Sequence, residues 1–253
     1  MKYYKLDRDT KTYLKRMAVD GIKTPADIYS VNDFIVGLKD LNLWGSMICW
    51  LLRSNQNAGI GTRAYSLSNL GTYDGTLTGS PIPIWTANGL VAQSTNSFVQ
   101  TNLAITLSSI GEFSMIGVGS MPSGSPARLL GANTAMTYIY GTSSAASNYS
   151  FYDFVNNQTV TNSTNQRIIN WVCFTKNTGL NTIGYINNGS GFNQTLGSLR
   201  SISDNLAFFG SNGTADKGVY PFFAFFNIQL SSAQNSQLYS LYRITAGKGL
   251  NLP

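Results

Sequence analysis

The groups in this chain that could do chemistry are few. No histidine occurs among its 253 residues, which removes His-dependent triads and the usual histidine-bearing metal sites. What remains for acid–base work is a single glutamate, Glu112, accompanied from residue 61 onward by four aspartates: Asp74, Asp153, Asp204 and Asp216. A glycoside hydrolase needs two carboxyl groups about 5 to 9.5 Å apart, one of them protonated. No two of these five stand at alternate positions of one strand, so a cleft pair would have to converge from separate loops. Cys49 and Cys173 lie in apolar runs and read as buried free thiols rather than a disulfide. The Gly117–Gly119 and Gly189–Gly191 pieces lack phosphate-binding spacing, and turns or bulges account for them. No catalytic, cofactor-binding or metal-ligating residue is assigned, and no cofactor is expected.

Charge is scarce and unevenly placed. Only 11% of residues are charged, against roughly 25% in an average soluble protein. The polar surface must therefore be Ser, Thr, Asn, Gln and Gly, a composition that suits antiparallel sheets in secreted, cell-surface or virion proteins. Residues 1 to 60 hold nine Lys/Arg and six Asp/Glu, and the remaining residues hold eight and five. The formal charge of +6 is thus shared equally between the two parts. The densest basic group, Lys2, Lys5, Arg8, Lys11, Lys15 and Arg16, is interrupted by Asp7 and Asp9 and reads as a solvated helix face. Nucleic acid is not an expected partner, because a groove-tracking site needs denser cations and stacking aromatics. No apolar run reaches the roughly 18 residues of a membrane span, and the N-terminus lacks the apolar core of a signal peptide.

The elements that must position these groups change character near residue 60. Thr24-Pro25-Ala26-Asp27 reads as a capping-box helix start with proline at the first helical position. Ile28, Val31, Phe34, Ile35, Leu38 and Leu41 then recur at helical steps and form one apolar stripe, ending near Asn42. Leu43 to Leu52 reads as a second, largely buried helix or as the segment that docks the first helix onto the rest, and Asp9 to Val19 as another helix upstream. From about Tyr65 the helical period gives way to short apolar runs separated by Gly, Asn, Ser and Pro. Candidate strands include GLVAQ, SFVQT, EFSMIGVGSM, ARLLGAN, MTYIYGT, YSFYDFV, QTVTN, IINWVCFTK, TIGYINN, NLAFFGS and FFAFFNIQL. Residues 168 to 197 form a three-strand meander with Trp171, Phe174 and Tyr185 as packing residues and Asn188-Gly189 supplying the positive φ angles of a hairpin turn. Ile183 and Tyr185 should face one way and Ile186 the other. Phe222, Phe223, Phe225 and Phe226 read as a core strand or a subunit contact rather than a ligand platform. A short helix follows Leu230-Ser231-Ser232, with Leu238 and Leu241 on its buried side. The pattern indicates a mostly β, two-sheet sandwich or jelly roll.

The order of motifs narrows this further. A W-x-C-F-T strand at Trp171, Gly184-Tyr-Ile-Asn-Asn-Gly189, Leu206-Ala-Phe-Phe-Gly-Ser, Gly218-Val-Tyr-Pro-Phe-Phe-Ala-Phe-Phe and Leu230-Ser-Ser-Ala-Gln resemble, in that order, the second half of laminin-G-like, concanavalin A-like jelly rolls. Asn69-Leu-Gly-Thr-Tyr-Asp-Gly-Thr-Leu and Ile84-Trp-Thr-Ala-Asn-Gly-Leu90 are similar to the opening strands of that family. Ser30-Val-Asn-Asp-Phe-Ile-Val-Gly-Leu-Lys-Asp-Leu-Asn-Leu-Trp44 resembles the short helix ahead of such jelly rolls in structural proteins of tailed bacteriophages. Where many relatives carry F-D-G-x-N-D-Y, this chain has Ala92-Gln-Ser-Thr-Asn-Ser-Phe98, so the acids that might hold a calcium ion there are missing.

The resemblance implies a helical anchoring segment at 1–60 and a jelly roll at 61–253. It implies a non-enzymatic virion structural protein, made in the bacterial cytoplasm and displayed on the tail, fibre or capsid as a decoration. Other virion proteins would be met through the N-terminal segment, in an oligomeric particle. Deleting residues 1 to 55 is then expected to leave a soluble β domain. Host-surface glycans are a second expected partner, held at a loop rim such as the aromatic and Asn-rich stretch from Tyr138 to Tyr152, which would give host adhesion. The alternative is a polysaccharide-degrading enzyme built on the same lectin-like fold.

Overall fold

The computed structural model describes residues 5–94, 97–106, 109–120, 127–132, 138–142, 148–153, 156–161, 168–179, 181–189, 192–195, 203–208 and 218–253. Lys2, residues 143–147, Gly191 and Asp216 lie outside them. The fold is mostly β, with two antiparallel sheets and three helices among the described residues. The first sheet runs β15 (Phe192–Thr195), β14 (Asn181–Ile186), β13 (Asn170–Lys176), β8 (Phe113–Ser120), β17 (Val219–Phe226), β1 (Met47–Leu51) and β3 (Leu67–Ser68). A hairpin of β5 (Ile84–Thr86) and β6 (Gly89–Val91) joins it through β17. The second sheet runs β12 (Asn156–Thr161), β11 (Asn148–Asp153), β10 (Tyr138–Thr142), β9 (Ala127–Ala132), β16 (Ser203–Phe208), β7 (Phe98–Thr106), β4 (Gly75–Thr78) and β2 (Arg63–Ala64).

Two cores share the first sheet. Alternate residues of its strands, including Ile48, Trp50, Phe113, Met115, Phe174, Phe223 and Phe225, face the second sheet, where they meet Leu77, Val99, Leu206 and Phe208. The residues between them, including Met47, Cys49, Leu51, Trp171, Phe222 and Phe226, face a layer of helices. That layer is α1 (Arg8–Val19), α2 (Ile28–Asp40) and α3 (Ser232–Ile244). The stripe Ile28, Val31, Phe34, Ile35 and Leu38 is buried in it. Phe34 lies edge-on to both Phe222 and Tyr242, with ring centroids 5.8 and 5.9 Å apart. The apolar face of α2 is therefore covered by this chain's own sheet and by α3. Gly37 permits the close approach, since a Cβ there would meet the flexible Leu241 side chain at 2.3 Å. The Phe222 to Phe226 group is a core strand, contributing to both layers.

Three local expectations are corrected. Leu43 to Leu52 is not a helix: Trp44–Ser46 is a single 3-10 turn, and Met47–Leu51 is a strand between β17 and β3. All five of its residues are buried. A strand covered on both faces loses its polar alternation and reads as a continuous apolar run, which periodicity alone does not separate from a buried helix. The helix start moves from Pro25 to Ile28, with Asp27 as its cap residue and no side-chain cap bond to the backbone. The Asp27 carboxylate instead accepts from Ser30 Oγ at 2.6 Å and Gln56 Nε2 at 2.7 Å. In the β14–β15 connection the left-handed residue is Asn187, at φ 54°, and Gly189 donates to the Ile186 carbonyl at 2.9 Å. Tyr138–Thr142 and Asn148–Asp153 are the paired strands β10 and β11, as the MTYIYGT and YSFYDFV runs suggested, and residues 143–147 lie outside the described residues.

Cys49 and Cys173 are both free and buried. Cross-strand partners place them in one row, Cys49–Ala224–Ile116–Cys173. Three strand spacings put them roughly 14 Å apart, twice what a disulfide can span.

Candidate functional site

The outer surface of the second sheet carries a polar groove of about 490 Å³, lined by Thr62, Arg63, Asp74, Gly75, Thr76, Gln100, Thr101, Asn102 and Asn205. Strand pairing builds it. Arg63 on β2 is the partner of Thr76 on β4, and Thr76 is the partner of Gln100 on β7, so the three side chains form one row across the sheet. Their neighbours Ala64, Leu77 and Val99 point the other way, into the sandwich core, as the two-residue period of a strand requires. Asn102 continues the outward face of β7, where odd residues are buried and even ones are not.

A bulge shapes the floor. Register shifts between Asn205 and Ala207, where β16 meets β7. The buried Thr101 hydroxyl fills the irregularity, donating to the Leu206 carbonyl at 2.7 Å and accepting from the Leu103 amide at 3.2 Å. Bulges of this kind bend a strand and re-aim its side chains. Here the bend brings Asn205 beside the row from β2, β4 and β7.

One wall of the groove is an ion network. Asp74 accepts from Arg16 of α1, from Arg63 Nη2 at 2.7 Å and from the Ser66 amide at 2.9 Å. Arg63 also reaches Asp20 at 2.5 Å, and Asp20 takes the Tyr65 hydroxyl at 2.5 Å. The two guanidiniums lie over the Tyr65 ring, 5.7 and 5.0 Å from its centroid. Burial, then the hydrogen bond to Asp20, push the Tyr65 phenol up to about 12. The same hydrogen bond, with the charge of Arg63, holds the Asp20 carboxyl below its ordinary value. The network ties the end of α1 to the β2–β4 edge and leaves Arg63 half exposed toward the groove.

The arrangement suits a hydroxylated ligand. Asn102 and Asn205 each present a carboxamide with donor and acceptor, Thr76 a hydroxyl and Arg63 a planar fork of donors. Gln100 Oε1 is buried and has no partner among the described residues. No aromatic ring lines the groove among those residues, so recognition there would rest on hydrogen bonds.

Of the five carboxylates singled out in the sequence, Asp74 lines this groove. Glu112 precedes β8 in the other sheet, where its charge acts on the buried Lys176. Asp153 ends β11 and Asp204 lies in β16. Asp74 and Glu112 are thus not brought together. Sequence reasoning missed Arg63, Thr76, Gln100, Asn102 and Asn205, because polar residues at alternate strand positions look like any solvated sheet face. It also missed Lys176, whose ammonium donates to the carbonyls of Gly111 at 2.7 Å and Asn177 at 2.9 Å. Burial pulls that ammonium below its ordinary range. No cluster of three metal-ligating side chains occurs among the described residues.

No protein-family model and no curated protein matches the chain. Solved structures do. The binding domain of botulinum neurotoxin serotype D matches with a TM-score of 0.60 at 12% identity, over 79% of this chain and 52% of that one. The receptor-binding domain of a botulinum neurotoxin C/D mosaic serotype gives 0.58 at 13%, over 78% and 51%. Trypanosoma rangeli sialidase, in complex with a difluorinated nononic acid, gives 0.60 at 11%, over 87% and 40%. This chain spans about half of the toxin domains and less of the sialidase. At such identity the likeness establishes the fold alone, a two-sheet β-sandwich.

Proposed function

We propose that this protein is a non-catalytic structural component of a tailed-phage particle whose jelly roll binds carbohydrate. The observation that carries the binding reading is the groove on the second sheet, where Arg63, Thr76, Gln100, Asn102 and Asn205 converge from four strands. Binding proteins among the structural neighbours support it at the level of fold. The virion assignment is supported by the sequence resemblance around Ser30 to Trp44. The reading without turnover is supported by the groove's lining, where Asp74 is the single carboxylate and is taken up by two guanidiniums. A glycoside hydrolase needs two carboxyl groups flanking the bond it breaks.

A glycan array followed by titration against host polysaccharide tests the binding. The wild type is expected to bind at up to millimolar ligand, and Asn102→Ala with Asn205→Ala to lose that binding while melting at the same temperature. Silence across the array, or unchanged binding by the double variant, sinks the groove as the site. Assay of released reducing ends decides between binding and hydrolysis. Antibody labelling of intact particles decides the virion assignment.

A further inference from the structure

The exposed side of α1 holds a row of cations that the rest of the fold does not use. Lys5, Arg8, Lys11 and Lys15 are all exposed, and the ion pairs among the described residues belong to other cations, Arg16, Lys39 and Arg63. Arg8, Lys11 and Lys15 follow at three- and four-residue steps, which aligns them on one helix face over about 10 Å. Lys5 extends the row past the helix start. The two acids that interrupt this run in sequence, Asp7 and Asp9, share Lys39 of α2, each at 2.6 Å. Four cations, Lys5, Arg8, Lys11 and Lys15, stand against one acid of the lining, Asp7, which Lys39 already pairs. The four surround a groove of about 550 Å³ whose lining also includes Asp7, Leu6, Thr12 and Val36, the last 38% exposed.

The apolar lining decides which anion fits. A phosphate chain would engage the cations and leave Leu6 and Val36 unused. Nucleic-acid grooves also add stacking aromatics, and none lines this one among the described residues. A peptide with carboxylates flanking an apolar side chain uses both features, in the apolar-centre, polar-rim pattern of protein interfaces. We propose that this groove between α1 and α2 is a docking site for an acidic, apolar-bearing segment of another protein. A second copy of this chain is a poor occupant, since it is itself +6 and its eleven acids are scattered. The inference rests on the part of the proposed function that makes this protein a component of a particle built with other proteins, and on nothing in the carbohydrate groove.

The test uses the full chain and four probes: a synthetic peptide of repeated Glu-Glu-Leu, poly-glutamate, single-stranded oligothymidylate and phosphatidylserine vesicles. The expected result is binding of the Glu-Glu-Leu peptide above all others, weakened on the order of tenfold by Lys11→Glu with Lys15→Glu and weakened again by added salt. Val36→Ser, which removes the apolar contact without adding charge, should weaken the peptide and spare poly-glutamate. Equal or tighter binding of oligothymidylate or vesicles, no peptide binding, or a charge-reversed variant that binds the peptide unchanged overturns the inference. Both variants should bind glycan as the wild type does, so a failed peptide site and a failed carbohydrate site are told apart.

Discussion

Asn57 shows how much one side chain can hold here. It is 1% exposed. Its Nδ2 donates to the Leu51 and Tyr65 carbonyls at 2.6 and 2.9 Å, and its Oδ1 accepts from the Ala58 and Tyr65 amides at 2.8 and 2.9 Å. Nothing in Ser54-Asn-Gln-Asn-Ala58 distinguishes it from an ordinary polar loop residue, because its partners belong to two different strand ends. Asn57→Ala would orphan four backbone groups, and a loss of about 3 kcal/mol or more is expected in urea unfolding. Tyr65 supports a prediction in pH. Its phenol is raised from an ordinary 10.0 to about 12. A group whose folded value lies above its unfolded one gives stability that is fully present below the unfolded value and lost as pH rises through the folded one. Stability should therefore fall between pH 10 and 12, and Tyr65→Phe should flatten that limb in denaturation curves taken across the range.

Elements differ in how openly they announce themselves. The α2 stripe, the α3 start at Ser231 and the β13–β14–β15 meander were legible, since each rests on residues within one or two turns or hairpins of one another. The Ser231–Gln234 capping box is formed in both directions. The β1 strand was not legible, because what makes it a strand is burial from both sides, by residues far along the chain. The β5–β6 hairpin depends on a similar long-range contact. Gly89 has φ 141°, and a Cβ there would meet the backbone of Tyr220 and Pro221 at 2.6 and 2.7 Å. Backbone does not move aside as a flexible side chain does. Gly89→Ala is expected to cost about 1–3 kcal/mol, read as a lower melting temperature, whereas Gly21→Ala, with a positive φ but open space, should cost less.

At the scale of the molecule the helical segment and the sandwich are one structure. Removing residues 1 to 55 would take away α1, α2 and β1, uncovering the outer face of the first sheet and separating β17 from β3. Phe222, Phe226 and Trp171 would lose apolar cover. Such a truncation is expected to be insoluble on expression, in place of the soluble β domain that the charge division near residue 60 suggested. A soluble, cooperatively melting fragment would show that α3 and the second sheet suffice.

From its residues alone the chain declared a two-sheet β-sandwich with a helical start, and a catalytic inventory without histidine. Alternation, turn residues and composition are local properties, and they survive without knowledge of the fold. Tertiary structure alone decided that Met47 to Leu51 is a central strand, that the stripe of α2 is covered from within, and that Arg63, Thr76, Gln100, Asn102 and Asn205 share one groove. Each of these depends on which distant strands become neighbours, and strand pairing across more than a hundred residues is set by the packing of the whole core.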